Sequence, residues 1–222
     1  MTLRVGITVF PGSNCDRDAM HAVALTGAEP VELWHADADL KGVDAVIVPG
    51  GFSYGDYLRP GAIARFANVM GEVERFAREG GPVLGVCNGF QVLAEAHLLP
   101  GALLQNTSLR FVSRRVPCRV ERTDTPWTAA CEAGETLTLP VAHNEGNYFA
   151  DERTLARLED EGRVVLRYLE NPNGSANDIA GVCSEGRNVV GIMPHPERVS
   201  DPDLGSEAGL KIISSVLVGA GV

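Results

Sequence analysis

The chain has 222 residues, 45% of them hydrophobic, and a net charge of −10, which allows one substantial core and argues against a nucleic-acid or anionic-membrane surface. The opening "MTLRVGITVFPGSNC" lacks the apolar core and cleavage site of a signal peptide, and no apolar run approaches the roughly 20 residues of a membrane helix. Five cysteines without a CxxC pair (Cys15, Cys87, Cys118, Cys131, Cys183) disfavour a disulfide framework or structural zinc site and point to a reducing cytoplasm.

Taken in chain order, "LRVGITV" (3–9) reads as a buried strand and "FPGSN" as a turn. A helix is expected over 16–26, with Asn14 or Asp16 near its cap. "PVELWHA" (30–36) and "DAVIVPGG" (44–51) are further strands, the second ending in a glycine pair. Residues 61–79 carry Ile63, Phe66, Val69, Met70, Val73 and Phe76 at helical spacing. "PVLGV" (82–86) is another strand, and a helix resumes over 89–97.

The middle third changes character. "LRFVSRRVPCRVER" (109–122) and "ETLTLPVAH" (135–143) alternate sides, as strands with one solvated face do. A short helix over 151–162 precedes strands in "RVVLRYLE", "DIAGVCS" and "NVVGIMPHPE", and an amphipathic helix over 206–218 closes the chain. No repeat or linker interrupts it, so one domain over 1–222 is expected. The β-α alternation predicts an α/β fold: an open, mostly parallel sheet with helices on both faces and an antiparallel extension.

Ligands of open α/β sheets collect at the carboxyl ends of strands. Three loops leave strands there: "PGGFSYGD" (49–56), "GVCNGFQ" (85–91) and "MPHPE" (193–197). Gly85-Val86-Cys87-Asn88-Gly89 has the spacing of a nucleophile elbow, whose glycines permit a tight turn that exposes the central side chain. The helix that follows presents its N-terminus to the sulfur and favours negative charge there. On spacing alone, Cys87 reads equally well as a small buried residue.

A thiol nucleophile needs a base, and the base an orienting acid. His195 and Glu197 supply both. Lying two apart, they would project on one side of an extended segment, with Glu197 behind the imidazole and the other ring nitrogen facing Cys87. For an oxyanion hole, the amide of Asn88 is the first donor and Gly51, of the Gly50–Gly51 pair, the second, although such a pair also makes an ordinary tight turn.

These words together resemble the class I glutamine amidotransferases, and "FPGSNCD", "PGGFSYGDYLR", "GVCNGFQ", "NPNGS" with "NDIAGV", and "MPHPER" resemble more narrowly the glutaminase subunits of phosphoribosylformylglycinamidine synthases. The resemblance runs in order along nearly the whole chain. It implies a flavodoxin-like fold and a Cys87–His195–Glu197 triad that hydrolyses glutamine for purine biosynthesis. Ammonia would pass to a separate synthetase subunit, which uses ATP and magnesium, and a small third subunit is implied; no cofactor or metal is expected in this chain. By position, Gln91 should face the glutamine, and Asn106 and Ser108 of "QNTSLRF" would help to hold its amino-acid end.

Other residues attract blander readings. His21, His35 and His97 look structural or solvated, and His143 is balanced between lining the pocket and sitting in a surface loop. Cys15 is explained by a helix-entry turn, and Cys118, Cys131 and Cys183 have no base nearby in sequence. "NPNGSANDIAGV" makes a turn on composition alone, whereas the resemblance places it at the synthetase interface. Two rivals stand beside the amidotransferase reading: a cysteine hydrolase or chaperone-like protein of related architecture, and a catalytically idle scaffold subunit. The late His-x-Glu argues against the first and the intact triad against the second.

Overall fold

The structure, a computed structural model, describes residues 2–219. Its first half runs β1 (Arg4–Val9), α1 (Asp16–Leu25), β2 (Glu29–Trp34), β3 (Ala45–Val48), α2 (Asn68–Arg78), β4 (Val83–Val86) and α3 (Asn88–Glu95). The second runs β5 (Ala102–Leu104), β6 (Val112–Val120), β7 (Thr136–His143), β8 (Asn147–Phe149), α4 (Glu152–Asp160), β9 (Val164–Tyr168), β10 (Ile179–Cys183), β11 (Val189–Ile192) and α5 (Leu210–Gly219).

Nine strands form one sheet in the order β2-β1-β3-β4-β11-β10-β9-β6-β7, parallel from β2 to β11 and antiparallel from there to β7. Strands β3, β4, β10 and β11 are buried at every position, which requires cover on both faces. Helix α3 lies against β3, β4 and β11, while α1 and α5 pack on one another. The ring of Phe90 in α3 stacks on Tyr148 of β8, centroids 6.0 Å apart.

Register decides where the loops emerge. Val48 pairs with Gly85 and Val86 with Ile192. Pro49, Cys87 and Met193 therefore leave the sheet at one level, and the three loops singled out in the sequence meet. The antiparallel half adds a fourth. In a flat sheet β7 would lie roughly 19 Å from β11, four strand spacings away. Instead the His195 N–H donates to Pro140 O of β7 at 2.8 Å. The sheet curls until its last strand closes over the carboxyl ends of its central ones.

Several boundaries depart from expectation. The helical pattern over 61–79 is broken: Ala64–Phe66 form a 3₁₀ turn, Ala67 is extended (φ −65°, ψ 147°), and α2 starts only at Asn68. Phe66, counted into the apolar stripe, is exposed as a result. The final helix starts at Leu210 rather than 206, because Ser206 pairs with Asp201 in an isolated bridge. The two-stranded sheet of β5 and β8 was not expected at all; at three residues each, neither strand shows a period.

The elbow is held by a close approach rather than by a turn alone. A Cβ on Gly89 would sit 1.8 Å from Val48 O, so only glycine lets α3 start directly against β3. Gly71, in α2, has nothing within 4 Å of the same position. Gly89→Ala is expected to cost about 3 kcal/mol, and Gly71→Ala to stabilise by up to about 1 kcal/mol. Urea unfolding of both variants measures this; equal midpoints would contradict the packing described.

Candidate active site

Cys87 occupies the join of β4 and α3 with φ 51° and ψ −105°, a conformation that non-glycine residues adopt only when their surroundings enforce it. Its N–H donates to Ile192 O at 2.8 Å, which locks the elbow to β11. The thiol is buried, 3.8 Å from Ala142 O of β7. The sharp turn expected of the G-x-C-x-G spacing is present, with the curled edge strand as its roof.

His195 precedes a 3₁₀ turn, Pro196–Val199, so the segment is not extended as the sequence suggested. The pairing with Glu197 nonetheless forms: Nδ1 lies 2.6 Å from Glu197 Oε1. His195 Nε2 is buried without a hydrogen-bonding partner among the described residues, and so is Glu197 Oε2. Burial opposes charge on the ring, but the Glu197 carboxylate, then Cys87 and Cys15, outweigh it and hold the His195 pKa well above the ordinary histidine range. Cys87, His195 and Glu197 are thus brought together, Glu197 bonded to the imidazole and Cys87 near enough to raise its proton affinity.

Cys15 belongs to this cluster, which a helix-entry turn did not foretell. It is the N-cap residue of α1 but makes no side-chain cap. Instead its Sγ lies 3.9 Å from His195 Nδ1, accepts from Arg198 Nη2 at 2.9 Å and donates to Asn14 Oδ1 at 3.1 Å. Gly50 makes the room, since a Cβ there would meet His195 Cε1 at 2.7 Å and Cys15 Sγ at 3.2 Å. Donor atoms of Cys15, His195 and Glu197 lie within 4.8 Å of one another, a spacing compatible with a soft divalent ion. Two contacts oppose one: Nδ1 and Oε1 already meet directly, and the Arg198 guanidinium stands where the cation's charge would act.

Of the expected oxyanion donors, Asn88 begins α3, so its amide is among the unpaired first amides of a helix. Gly51 faces Ser13 in an isolated bridge closed by Phe52 N–H donating to Gly12 O at 3.0 Å. Gln91 is buried and internally bonded: Oε1 accepts from Asn88 Nδ2 at 2.9 Å, and Nε2 donates to Glu145 O at 2.7 Å. It also lines a pocket of about 330 Å³ with Arg59, Glu95 and Leu104. Ser108 is exposed on its loop.

Asn106 is fully buried and saturated. Nδ2 donates to Arg110 O and His143 O (2.9 and 3.0 Å), and Oδ1 accepts from Gly146 N–H at 3.0 Å and lies 3.2 Å from His143 Nδ1. A ligand contact through this side chain would displace one of these bonds. His143 sits at the centre of the same hub rather than in a surface loop, and Asn173 Nδ2 approaches its Nε2 at 3.4 Å while donating to Gly146 O at 2.8 Å. Burial, then the His195 charge, lowers the His143 pKa to about 4. "QNTSLRF", "AHNEGNY" and "NPNGS" therefore each contribute to one buried polar assembly, the first through Asn106.

Asp56, not singled out in the sequence, accepts from Asn88 Nδ2 at 3.2 Å and is pushed up to about 6 by burial, then by Glu145. Burial raises the thiols of Cys118 (to about 12), Cys131 (to about 11) and Cys183, which leaves them unreactive. A cavity of about 850 Å³ lies at the opposite end of the sheet beside Asn188 and Val189. Its Arg78, Arg157 and Arg163 are committed to Glu74, Glu161 and Glu185. Among the described residues no helix is long and apolar enough to cross a membrane.

Residues 2–208 match the CobB/CobQ-like glutamine amidotransferase domain family. The chain is 84% identical to the phosphoribosylformylglycinamidine synthase subunit PurQ of Rubrobacter xylanophilus, covering 99% of this chain and all of that one. It is 55% identical to the subunit of the same name from Trichormus variabilis, covering 97% of each. A chain in the structure of PurLQS from Thermotoga maritima superposes with a TM-score of 0.91 at 45% identity, covering 99% of this chain and all of that one. A putative GMP synthase subunit from Thermoplasma acidophilum shares the fold at 14% identity, with a TM-score of 0.66 over 100% of this chain and 97% of that one.

The neutral His143 gives a pH test of the hub. Its folded pKa, about 4, lies below the ordinary value of 6.5, so protonation favours the unfolded chain. The stability it contributes is complete above about pH 6.5 and is lost as pH falls towards 4, about 3 kcal/mol in all. His143→Gln is expected to destabilise the protein at pH 7 by more than it does at pH 4.5. Urea denaturation of both proteins at the two pH values checks this, and a pH-independent difference would contradict a buried neutral imidazole.

Proposed function

The chain belongs to the CobB/CobQ-like glutamine amidotransferase family, and we propose that it is the glutaminase subunit of a phosphoribosylformylglycinamidine synthase, releasing ammonia from glutamine for purine biosynthesis. The observation that carries the reading is the buried grouping of Cys87, His195 and Glu197 at the carboxyl ends of β4 and β11.

In this mechanism Cys87 Sγ attacks the side-chain amide carbon of glutamine, and its proton resides on His195 Nε2. The amides of Asn88 and Gly51 receive the oxyanion, each such donor being worth roughly a hundred- to thousandfold in rate. Collapse of the tetrahedral adduct expels ammonia with the proton held on His195, the role that its raised proton affinity suits. Water then attacks the thioester with His195 as base and releases glutamate. Glu197 orients the ring and balances its charge without moving a proton. Gln91 and the Asn106–Ser108 loop border the ligand's amino-acid end, Asn106 by shaping the loop.

A small third subunit and a synthetase subunit complete the proposed assembly, with ATP and magnesium used on the synthetase. No GxxxxGK[ST] phosphate loop occurs in this sequence, and the glycine clusters at 50–55 and 85–89 already build the thiol site. The docking surface is the rim of that site. Tyr57 (73% exposed), Leu58 (90%) and Leu109 (70%) expose apolar side chains on the loops following β3 and β5, with Phe52, Phe111 and Phe149 on the same two loop regions and β8.

Two measurements test this reading. Cys87→Ser should lower glutamine-dependent synthesis by the assembled enzyme about a thousandfold or more while ammonia-dependent synthesis continues; near-normal use of glutamine would remove Cys87 as nucleophile. Leu58→Asp should weaken association with the synthetase in sedimentation velocity and reduce the glutaminase acceleration expected on assembly. Unimpaired association would move the docking surface elsewhere.

A further inference from the structure

Glu197 is a carboxylate in a difficult place. Its side chain is 2% exposed, Oε1 faces His195 Nδ1, and Oε2 has no hydrogen-bonding partner among the described residues. A desolvated anion with so little solvation by the protein is costly unless compensated. The alternative is damaging. Without the negative charge of Glu197 the ring would lose the partner that lets it hold a proton beside Cys87.

The charges around this pair come from several elements. Cys87 is near enough to act on the ring, and His143 of β7 is neutral near pH 7. From α1, Asp18 senses Glu197, Arg198 and His195 and adds negative charge. Arg198 is the one permanent cation among these groups. Its Nε lies 3.9 Å from Glu197 Oε1, and its half-buried guanidinium donates through Nη2 to Cys15 Sγ. Cys15 is itself fixed: fully buried, its N–H on Gly50 O at 3.3 Å and its thiol on Asn14 Oδ1.

We propose that Arg198, pinned by the sulfur of Cys15, is a positioning residue for the thiol chemistry: its charge compensates the buried Glu197 carboxylate and so keeps that carboxylate in place as the partner of the charged imidazole beside Cys87. The inference rests on the glutaminase reading for its catalytic consequence but not for its electrostatics. Removing a cation strengthens proton binding at every neighbouring acid, so the acidic limb of any process that needs the Cys87–His195 pair must move to higher pH.

The test uses Arg198→Gln, Arg198→Lys and Cys15→Ala, in the full chain and assembled with the synthetase, with circular dichroism as the check on folding. Two pH profiles are read: the rate of Cys87 alkylation by iodoacetamide, resolved by peptide mass spectrometry, and steady-state glutamine hydrolysis. For Arg198→Gln the acidic limb of both should rise by about one pH unit, with kcat down about tenfold and KM within about twofold. Arg198→Lys should return the limb towards wild type, and Cys15→Ala should shift it less, in the same direction. An unmoved limb in folded Arg198→Gln overturns the proposal. If that variant does not fold, an unmoved limb in Cys15→Ala does so. Should the wild-type protein release no glutamate from glutamine, alone or assembled, the functional reading falls, and the alkylation profiles still decide whether Arg198 supports the pair.

Discussion

The parallel register of β3, β4 and β11 is the constraint on which the rest depends. Because Val48 lies beside Gly85 and Val86 beside Ile192, three chain segments far apart in sequence leave the sheet at one level. Each then turns at once: a glycine pair after β3, the strained Cys87 after β4, and Met193-Pro194 before His195. A one-residue slip of β11 would carry His195 away from the thiol and reverse the faces of a strand buried on both sides. The positive φ of Cys87 is tolerated because its own N–H is held by Ile192 O and because Gly89 lets α3 press against Val48 O. Strain at Cys87 is thus offset by packing two residues later.

The antiparallel half is more than an edge extension. By curling, it brings Pro140 O to the His195 N–H and Ala142 O over Cys87 Sγ. Pro140, which cannot donate to a ladder, is suited to an edge strand, and its carbonyl serves the active-site loop instead. Beyond it the chain enters the polar hub of Asn106, His143, Asn173 and Ser175, in which Gly146 contributes both its N–H and its C=O. Such a network is stable only when its members are satisfied together. That accounts for three asparagine-rich words, distant in sequence, having one structural cause.

Much of this was legible because its signals are local. Largely apolar runs marked β1, β3, β4 and β11, and the spacing of Gly85, Cys87 and Gly89 marked the elbow. The pairing of His195 with Glu197 was also anticipated, though for a different reason: the residues meet across a 3₁₀ turn and not along an extended strand. What stayed hidden depends on distant contacts. The apolar spacing over 61–79 suggested one helix, but the chain is redirected at Ala67 and Phe66 turns outward. The place of Cys15 beside His195 requires α1 and the loop after β11 to be known together. Arg198 carries no local sign of its role, since a charged residue after Glu197 reads as solvated surface. His143 stood balanced between pocket and surface loop, and Asn106 read as a ligand contact, because nothing local shows that the sheet curls over them.

The two loops that could transmit a partner's presence differ in mechanical character. "NPNGSAND" is anchored by Asn173 and Ser175 in the hub, and its left-handed residues, Asn177 and Asp178, are of types that tolerate that conformation. Force applied there meets a saturated network. The loop after β3 places Tyr54, Asp56 and Leu58 at φ 54°, 54° and 71°, and for Tyr54 and Leu58 that conformation is unfavourable unless something holds it. Besides its bonds to Pro11 O, Gly12 O and Glu95, three ties involve its neighbours' side chains: Tyr54 O–H to His35 Nδ1 at 2.6 Å, Ser53 N–H to Asn88 Oδ1 at 3.1 Å, and Asp56 to Asn88 Nδ2. Two of those three reach, next to Cys87, the side chain of Asn88, whose amide is an oxyanion donor in the proposed mechanism. A protein that packed on exposed Tyr57 and Leu58 would therefore act on Asn88 through a single layer of hydrogen bonds. The same protein reaching the site through the asparagine hub would have to act through Gly146, Glu145 and Gln91 in turn. The shorter path lies in the strained loop, and there docking and chemistry are mechanically closest.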